Sequence, residues 1–224
     1  MYVILESVEN VAGHIKTLWF RPEKPVRYTS GQFTELYLPH DDADGRGIRR
    51  WFTLSSSPTE ELLGITTRLQ PSESSSFKQQ LANLKPGARL HLAEPMGDFV
   101  LPKDPSIPIF FVAAGLGITP VRSIIKWLHD TGEKRAVKLW FATKPDELAF
   151  KQLFQDYKMD FKPITSGSRS KFTAEAIKHA TPENSYIYIS GPEELVETLY
   201  KNAKRLGIDP SRLVADYFPG YPEL

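Results

Sequence analysis

The stretch "IPIFFVAAGLGITP", residues 107–120, decides how this chain is organised. Its first eight residues form a continuous apolar run, the pattern of a strand buried on both faces. The run breaks into Gly115 and Gly117, then into Thr119 and Pro120, residue types that cap a helix and occupy its first turn. A doubly buried strand that turns directly into a helix belongs to a parallel sheet covered by helices. The grammar repeats downstream. Helix "TPVRSIIKWLHDTG" leads to strand "VKLWFAT", helix "DELAFKQLFQDY" and strand "DFKPIT"; helix "TAEAIKHA", strand "SYIYIS", helix "PEELVETLYKNAKRLG" and strand "LVADYF" follow. Alternation of this kind predicts an α/β unit with a five-stranded parallel sheet joined by right-handed crossovers.

Upstream the grammar differs. "YVILESV", "HIKTLWFR", "GQFTELYL", "RWFTLSS", "LLGITTRL" and "ARLHLAE" are short, rich in β-branched and aromatic residues, and separated by turns such as "DGRG" and "KPGA". Six such strands predict an antiparallel β barrel. One segment departs from the pattern: "SSSFKQQLANLKPG" carries Phe77, Leu81 and Leu84 at helical spacing behind a serine cap. The joint is the proline-rich "LPKDPSIP", which divides the chain into residues 1–102 and 103–224.

At 224 residues the chain has room for both units, and its 41% hydrophobic and 25% charged residues are those of a soluble globular protein. A net charge of +1 supplies no general attraction to nucleic acid or to an anionic membrane. The absence of cysteine removes disulfides, thiolate metal sites and a bound iron–sulfur cluster, and fits a cytoplasmic location. His14, His40, His91, His129 and His179 form no HxH or HxxxH pair, so no metal site is expected. The longest apolar run is too short to span a bilayer, and the N-terminus lacks the basic region and cleavage site of a signal peptide. A monomer is expected.

Three places carry chemistry. In "GLGITP", glycines let backbone N–H groups approach a phosphate, and the helix N-terminus supplies positive potential; a tight strand–helix turn alone would also explain them. The motif is not the ordinary GxGxxG fingerprint, because Pro120 stands at the third glycine. "ISGPEEL" puts Ser190, Gly191 and Pro192 on the same carboxyl edge, where open α/β sheets bind ligands; a plain helix start with Pro192 in its first turn is the alternative. In "RRWFTLSSSP", Arg50 and Phe52 point to one side of a strand and Thr53 to the other. An arginine can grip a phosphate, an aromatic ring can lie on a planar ligand, and a hydroxyl can bond a ring nitrogen. An amphipathic strand with an exposed arginine would look the same. The helix start at Ser74–Phe77 offers further hydroxyls and N–H groups for an anion.

With these motifs in order, the chain resembles the ferredoxin–NADP reductase superfamily along nearly its whole length, and most closely its short bacterial members with only flavin and nicotinamide domains. Arg50, Phe52 and Thr53 match the family's flavin motif; "DGRGIR", "SSSP", "EPMGDF", "GLGITP", "SGPEEL" and the aromatic tail "DYFPGY" fit beside it. The resemblance implies an FAD-binding barrel followed by an NAD(P)-binding domain. It further implies hydride transfer from NADPH or NADH to FAD, then single-electron transfer to a separate, unidentified redox protein such as a ferredoxin or flavodoxin. Implied flavin contacts are Arg50, Trp51, Phe52 and Thr53, Thr67 and Arg68 on the next strand, and Ser74, Ser75 or Ser76 at the helix start. Implied nicotinamide contacts are Gly115, Gly117, Ile118, Thr119, Pro120, Gly191 and Pro192.

The reacting centre implied is Thr53, Ser190, Asp216 and Phe218, with Asp216 a candidate for proton handling or else a solvated charge at a strand end. Phe218 and Tyr221 in the tail are expected to lie against the flavin as a gate; a frayed terminus is the alternative. NADPH is expected over NADH, because no acid ends "VKLWFAT", while Lys144 follows it and Ser166, Ser168, Arg169 and Lys171 follow the next strand. Two departures stand out: Ser190 replaces the family's usual cysteine, and no cysteine-rich ferredoxin domain is present. Two rival readings remain open at this level, a flavin-binding electron-transfer subunit without turnover of its own and a sugar- or nucleic-acid-binding barrel.

Overall fold

The molecule is described by a computed structural model over residues 1–70, 75–165 and 172–218. The N-terminal half contains β1 (Tyr2–Ala12), β2 (Ile15–Pro22), β3 (Phe33–Tyr37), β4 (Arg49–Thr53), β5 (Leu63–Arg68), α1 (Ser76–Asn83) and β6 (Arg89–Leu92). The strands pair antiparallel in the order β4-β3-β6-β1-β2-β5. A bridge between Leu54 and Ile65 joins the two outer strands, so the sheet closes on itself. Closure removes the unpaired edges that an open sheet would expose. Period-2 alternation turns Val3, Leu5, Leu18, Phe20, Leu36, Phe52 and Ile65 inward, and α1 adds Phe77 and Leu81 to the same core.

The second half contains β7 (Ile109–Ala114), α2 (Ile118–Thr131), β8 (Val137–Ala142), α3 (Lys151–Asp156), β9 (Asp160–Ile164), α4 (Ala174–Ala180), β10 (Tyr186–Pro192), α5 (Glu193–Arg205) and β11 (Leu213–Phe218). Its strands are parallel, in the order β11-β10-β7-β8-β9. The apolar run of β7 is buried at all six positions because each sheet face carries its own core. Phe111, Ala113, Leu139 and Phe141 pack with Val121, Ile124, Ile125 and Leu128 of α2 on one face. Phe110, Val112, Ile187 and Ile189 pack with Ile177 of α4 and Val196 and Leu199 of α5 on the other.

Three details differ from the expected elements. "DELAFKQLFQDY" is not one helix: a 3₁₀ turn at Pro145–Glu147 is separated from α3 by Phe150, whose φ of 61° is left-handed. The α2 helix begins at Ile118 after Gly117, so Thr119 lies inside the first turn, its hydroxyl donating to the Leu116 carbonyl (2.9 Å). Pro192 precedes α5, because β10 runs through Gly191 and Pro192 to pair with β11.

The two halves are joined by more than the 93–108 connection. Ile15 and Phe99 enter the core on the α2 side of the parallel sheet. Arg122 of α2 grips Glu60, with Nη2 to Oε1 at 2.9 Å, and its Nη1 donates to the Ser55 carbonyl (3.0 Å). Arg68 of β5 forms a two-pronged pair with Glu147 (Nε to Oε1 3.0 Å). Among the described residues no helix is long and apolar enough to cross a membrane.

Candidate functional site

The order of the parallel sheet fixes where a ligand can enter. The order in which strands are added reverses at β7, which has β8 on one side and β10 on the other, all running parallel. The connections leaving β7 and β10 therefore diverge to opposite faces, opening a crevice at their carboxyl ends. The turn Gly115–Gly117 lies on one lip. It contacts β10, and also β5 of the barrel, so the crevice opens toward the barrel. Gly115 takes φ 53°, a left-handed value that glycine adopts without a Cβ penalty, and a Cβ there would meet nothing within 4 Å. Gly117 has no such room: a Cβ would fall 2.1 Å from the Ser190 carbonyl oxygen and 2.6 Å from the Gly191 nitrogen. The sequence thus needs one glycine for backbone conformation beside open space, and the other for close approach of two turns.

Ser190 and Asp216 face each other in register across β10 and β11. Ser190 is buried, and its Oγ lacks a well-formed hydrogen bond within the described residues. Burial pushes the Asp216 carboxyl up to about 6, and the Ser190 hydroxyl beside it only partly opposes that rise. One residue on, Gly191 and Pro192 pair with Tyr217 and Phe218. The chain therefore leaves β11 beside the second glycine turn.

On the barrel side, β4 sorts its side chains as the alternation predicts. Arg49 is exposed and lies over the Tyr37 ring (4.3 Å), whereas Arg50 is buried. The Arg50 guanidinium sits 4.9 Å over the Phe77 ring, and its Nη1 donates to the carbonyls of Arg46 (2.7 Å), Gly47 (2.9 Å) and Arg49 (2.6 Å). Thr53 is buried, and its Oγ1 has no hydrogen-bond partner within the described residues. A buried hydroxyl left unsatisfied costs about 1–3 kcal/mol, which a ligand acceptor or donor there would remove.

The loop before β4 meets the start of α1. Ser75 caps the helix, its Oγ accepting from Lys78 N (3.3 Å). Ser76 N donates to Asp44 Oδ2 (3.2 Å), while Ser76 Oγ accepts from Asp44 N (3.0 Å) and contacts His40 Nε2 (3.0 Å). Arg46 pairs with the same carboxylate (2.6 Å), and Arg50 Nη2 lies 3.5 Å from it. These bonds, led by that of Arg46, hold the Asp44 carboxyl well below the usual carboxylate range. Lys78 is held below its ordinary value by burial and then by the nearby Arg68 and Arg50 guanidinium groups. Arg46 and Arg50 thus meet the Asp44 carboxylate at the start of α1, the helix that carries Lys78.

Several expected residues take other places in the fold. Phe52 is a barrel-core ring tilted on Phe77 (centroids 6.1 Å), because its strand parity turns it inward. Trp51 is exposed on the opposite face, edge-on to Phe33 (5.4 Å), and shares that face with Thr53. Arg68 is committed to buried Glu147 in the seam between the halves, and Thr67 is buried in β5 opposite Lys16. Ile118, Thr119 and Pro120 are buried in the first turn of α2 rather than lining open space. Ser74, Ser166, Ser168, Arg169, Lys171 and Tyr221 lie outside the described residues, as does the side chain of Phe218. Sequence reasoning missed Asp44, Arg46, His40 and Lys78. The "DGRG" turn signal marked their neighbourhood but not their meeting with Ser76, which only the tertiary fold creates.

No family model matches the chain. It is 28% identical over 214 residues to the stachydrine N-demethylase reductase subunit of Rhizobium meliloti, a match covering 86% of this chain. The chain spans about 60% of the length of that relative. Among solved structures, the flavohem-like FAD/NAD-binding domain of nitric oxide dioxygenase from Vibrio cholerae superposes with a TM-score of 0.79 at 18% identity, covering 98% of both chains. Ferredoxin–NADP⁺ reductase from Plasmodium falciparum, solved with 2′P-AMP, gives a TM-score of 0.80 at 17% identity, covering 97% of this chain and 95% of that one.

Proposed function

The chain has the fold of the ferredoxin–NADP reductase superfamily, and from that premise we propose that it is an FAD-dependent NAD(P)H oxidoreductase serving a separate protein acceptor. The observation that carries the reading is the crevice at the carboxyl ends of β7 and β10, lined by two glycine turns and opening toward the barrel. When bound, a flavin takes up a hydride equivalent from a reduced nicotinamide and releases electrons singly.

The chain's own residues supply binding and geometry. Arg50 and the N–H groups at the start of α1 form the phosphate end of the flavin site, with Lys78 adding positive potential. The orphaned Thr53 Oγ1 marks the ring end, and Trp51 offers a flat surface on the same side of the strand. The turns at Gly115–Gly117 and Gly191–Pro192 admit the nicotinamide dinucleotide, with Ser190 at the floor between them. Ser190 fills the usual cysteine position with a hydrogen-bonding group of similar reach, so hydride transfer is altered in efficiency rather than lost. Asp216, raised by burial to about 6, is the titratable group beside this floor. A preference for NADPH rests on Lys144 after β8 and on the basic residues that follow β9 in sequence.

A separate oxidative component as acceptor is supported by the relative's description as the reductase subunit of an N-demethylase. Cytosolic placement is part of the same reading, supported by a cysteine-free composition. The test is direct. Purified chain should be yellow with FAD, identified by mass spectrometry of the released cofactor. Anaerobic NADPH should bleach it faster than NADH. FMN as the sole cofactor would overturn the FAD assignment, and a colourless protein that takes up no flavin would overturn the reading itself.

A further inference from the structure

Asp44 occupies a set of anion-binding donors at the start of α1. Its carboxylate accepts from Arg46 Nη2 (2.6 Å), Arg46 N (3.0 Å) and Ser76 N (3.2 Å), and lies 3.5 Å from Arg50 Nη2. Ser76 N is one of the first N–H groups of α1, and such groups point along the positive end of the helix. The bond is reciprocal, since Asp44 N donates to Ser76 Oγ, with His40 on the same hydroxyl. The loop is thus tied to the helix at two atoms of one residue. Lys78 stands on the same helix, its charge disfavoured first by burial and then by the Arg68 and Arg50 guanidinium groups.

A cluster of cations around a helix start calls for negative charge. In the chain itself Asp44 provides it, and the hydrogen bonds from Arg46 and Ser76 favour its ionised form. Resting on the flavin reading above, we propose that Asp44 is a built-in counter-anion that holds the phosphate end of the site closed and is exchanged for the cofactor's phosphate. A dianionic phosphate brought beside a retained carboxylate would meet like-charge repulsion, whereas one that replaces it inherits the same donors. Asp44 has a reason to yield: it stands in the long 38–48 loop between β3 and β4, and its side chain is 15% exposed. The exchange makes phosphate affinity a difference between two anions. The flavin therefore binds less tightly than the donor set alone would allow, and the empty chain avoids an uncompensated cluster of positive charge.

The test uses flavins that differ only at the phosphate. Apo chain, wild type and Asp44→Asn, is titrated with FAD, FMN and riboflavin, following flavin fluorescence. The expected result is that Asp44→Asn binds FAD and FMN about tenfold more tightly, with riboflavin affinity unchanged. The empty variant should also melt at a lower temperature than empty wild type. Asp44→Ser, which can still cap but carries no charge, is measured alongside and replaces Asn should that variant fold poorly. Unchanged or weakened FAD and FMN binding in the variant overturns the exchange while leaving the flavin reading intact. An equal gain for riboflavin also overturns it, because the effect would then not involve phosphate. Failure of wild type to take up any of the three flavins removes the flavin reading and the exchange together.

Discussion

Asp216 and Arg50 take their chemistry from burial and from the groups packed around them. The folded-state pKa of Asp216 is raised to about 6 by burial, so the folded chain holds a proton there that the unfolded chain releases. That group's contribution to stability is complete below its ordinary carboxylate value and is lost as pH rises through about 6. Asp216→Asn should therefore raise the melting free energy by roughly 1–2 kcal/mol at pH 8 and by little at pH 4. Thermal melts at both pH values decide it, and an equal shift at the two would refute the assignment. Arg50→Ala should weaken flavin binding about 10- to 100-fold, roughly the loss of a charge-assisted contact, while Arg49→Ala should leave it within twofold. Flavin titrations of the two variants check the contrast; loss of flavin from the Arg49 variant instead would reverse it. The contrast was legible in sequence because strand alternation alone puts neighbouring arginines on opposite faces. The interior position of Phe52 was not. Parity gives the side of a strand but not which side becomes the barrel core, and that depends on closure through Leu54 and Ile65.

Among the elements, the turn between β7 and α2 makes a sharp distinction between its two glycines. Gly117→Ala places a methyl group against the Ser190 carbonyl and the Gly191 nitrogen, both backbone atoms that cannot swing away. The two turns must part, so the variant should lose several kcal/mol of stability and its nicotinamide affinity together. Gly115→Ala meets open space and bears only the left-handed φ, a cost of about 1–2 kcal/mol. Urea midpoints rank the two, and a more harmful Gly115 variant would contradict the close-approach account. Strands and helices were readable from period and flanking residues because each buries one dominant face. The break at Phe150 was not, since its ring lies 5.7 Å from the Arg122 guanidinium of another helix, a contact no local pattern announces.

At the scale of the whole molecule, the seam between the halves behaves as core. Glu147 is almost fully buried, whereas Arg68 keeps about a third of its side chain exposed. Arg68→Ala strands a buried carboxylate and should cost about 3 kcal/mol; Glu147→Gln leaves an arginine that can still reach water and should cost less. Denaturant midpoints of the two variants test the order, and equal losses would deny the asymmetry. Sequence showed two grammars and a proline-rich joint, yet it gave no sign of these pairs, whose members lie 79 and 62 residues apart. Their consequence reaches into how such chains can be recombined. A barrel of this type cannot simply be exchanged for a homologous one, because Glu60, Arg68, Ile15 and Phe99 are each completed by residues of the other half. Shuffling at the proline joint would leave buried charges facing strangers. Any lineage or engineer that mixes these modules must therefore carry the seam residues across as a matched set.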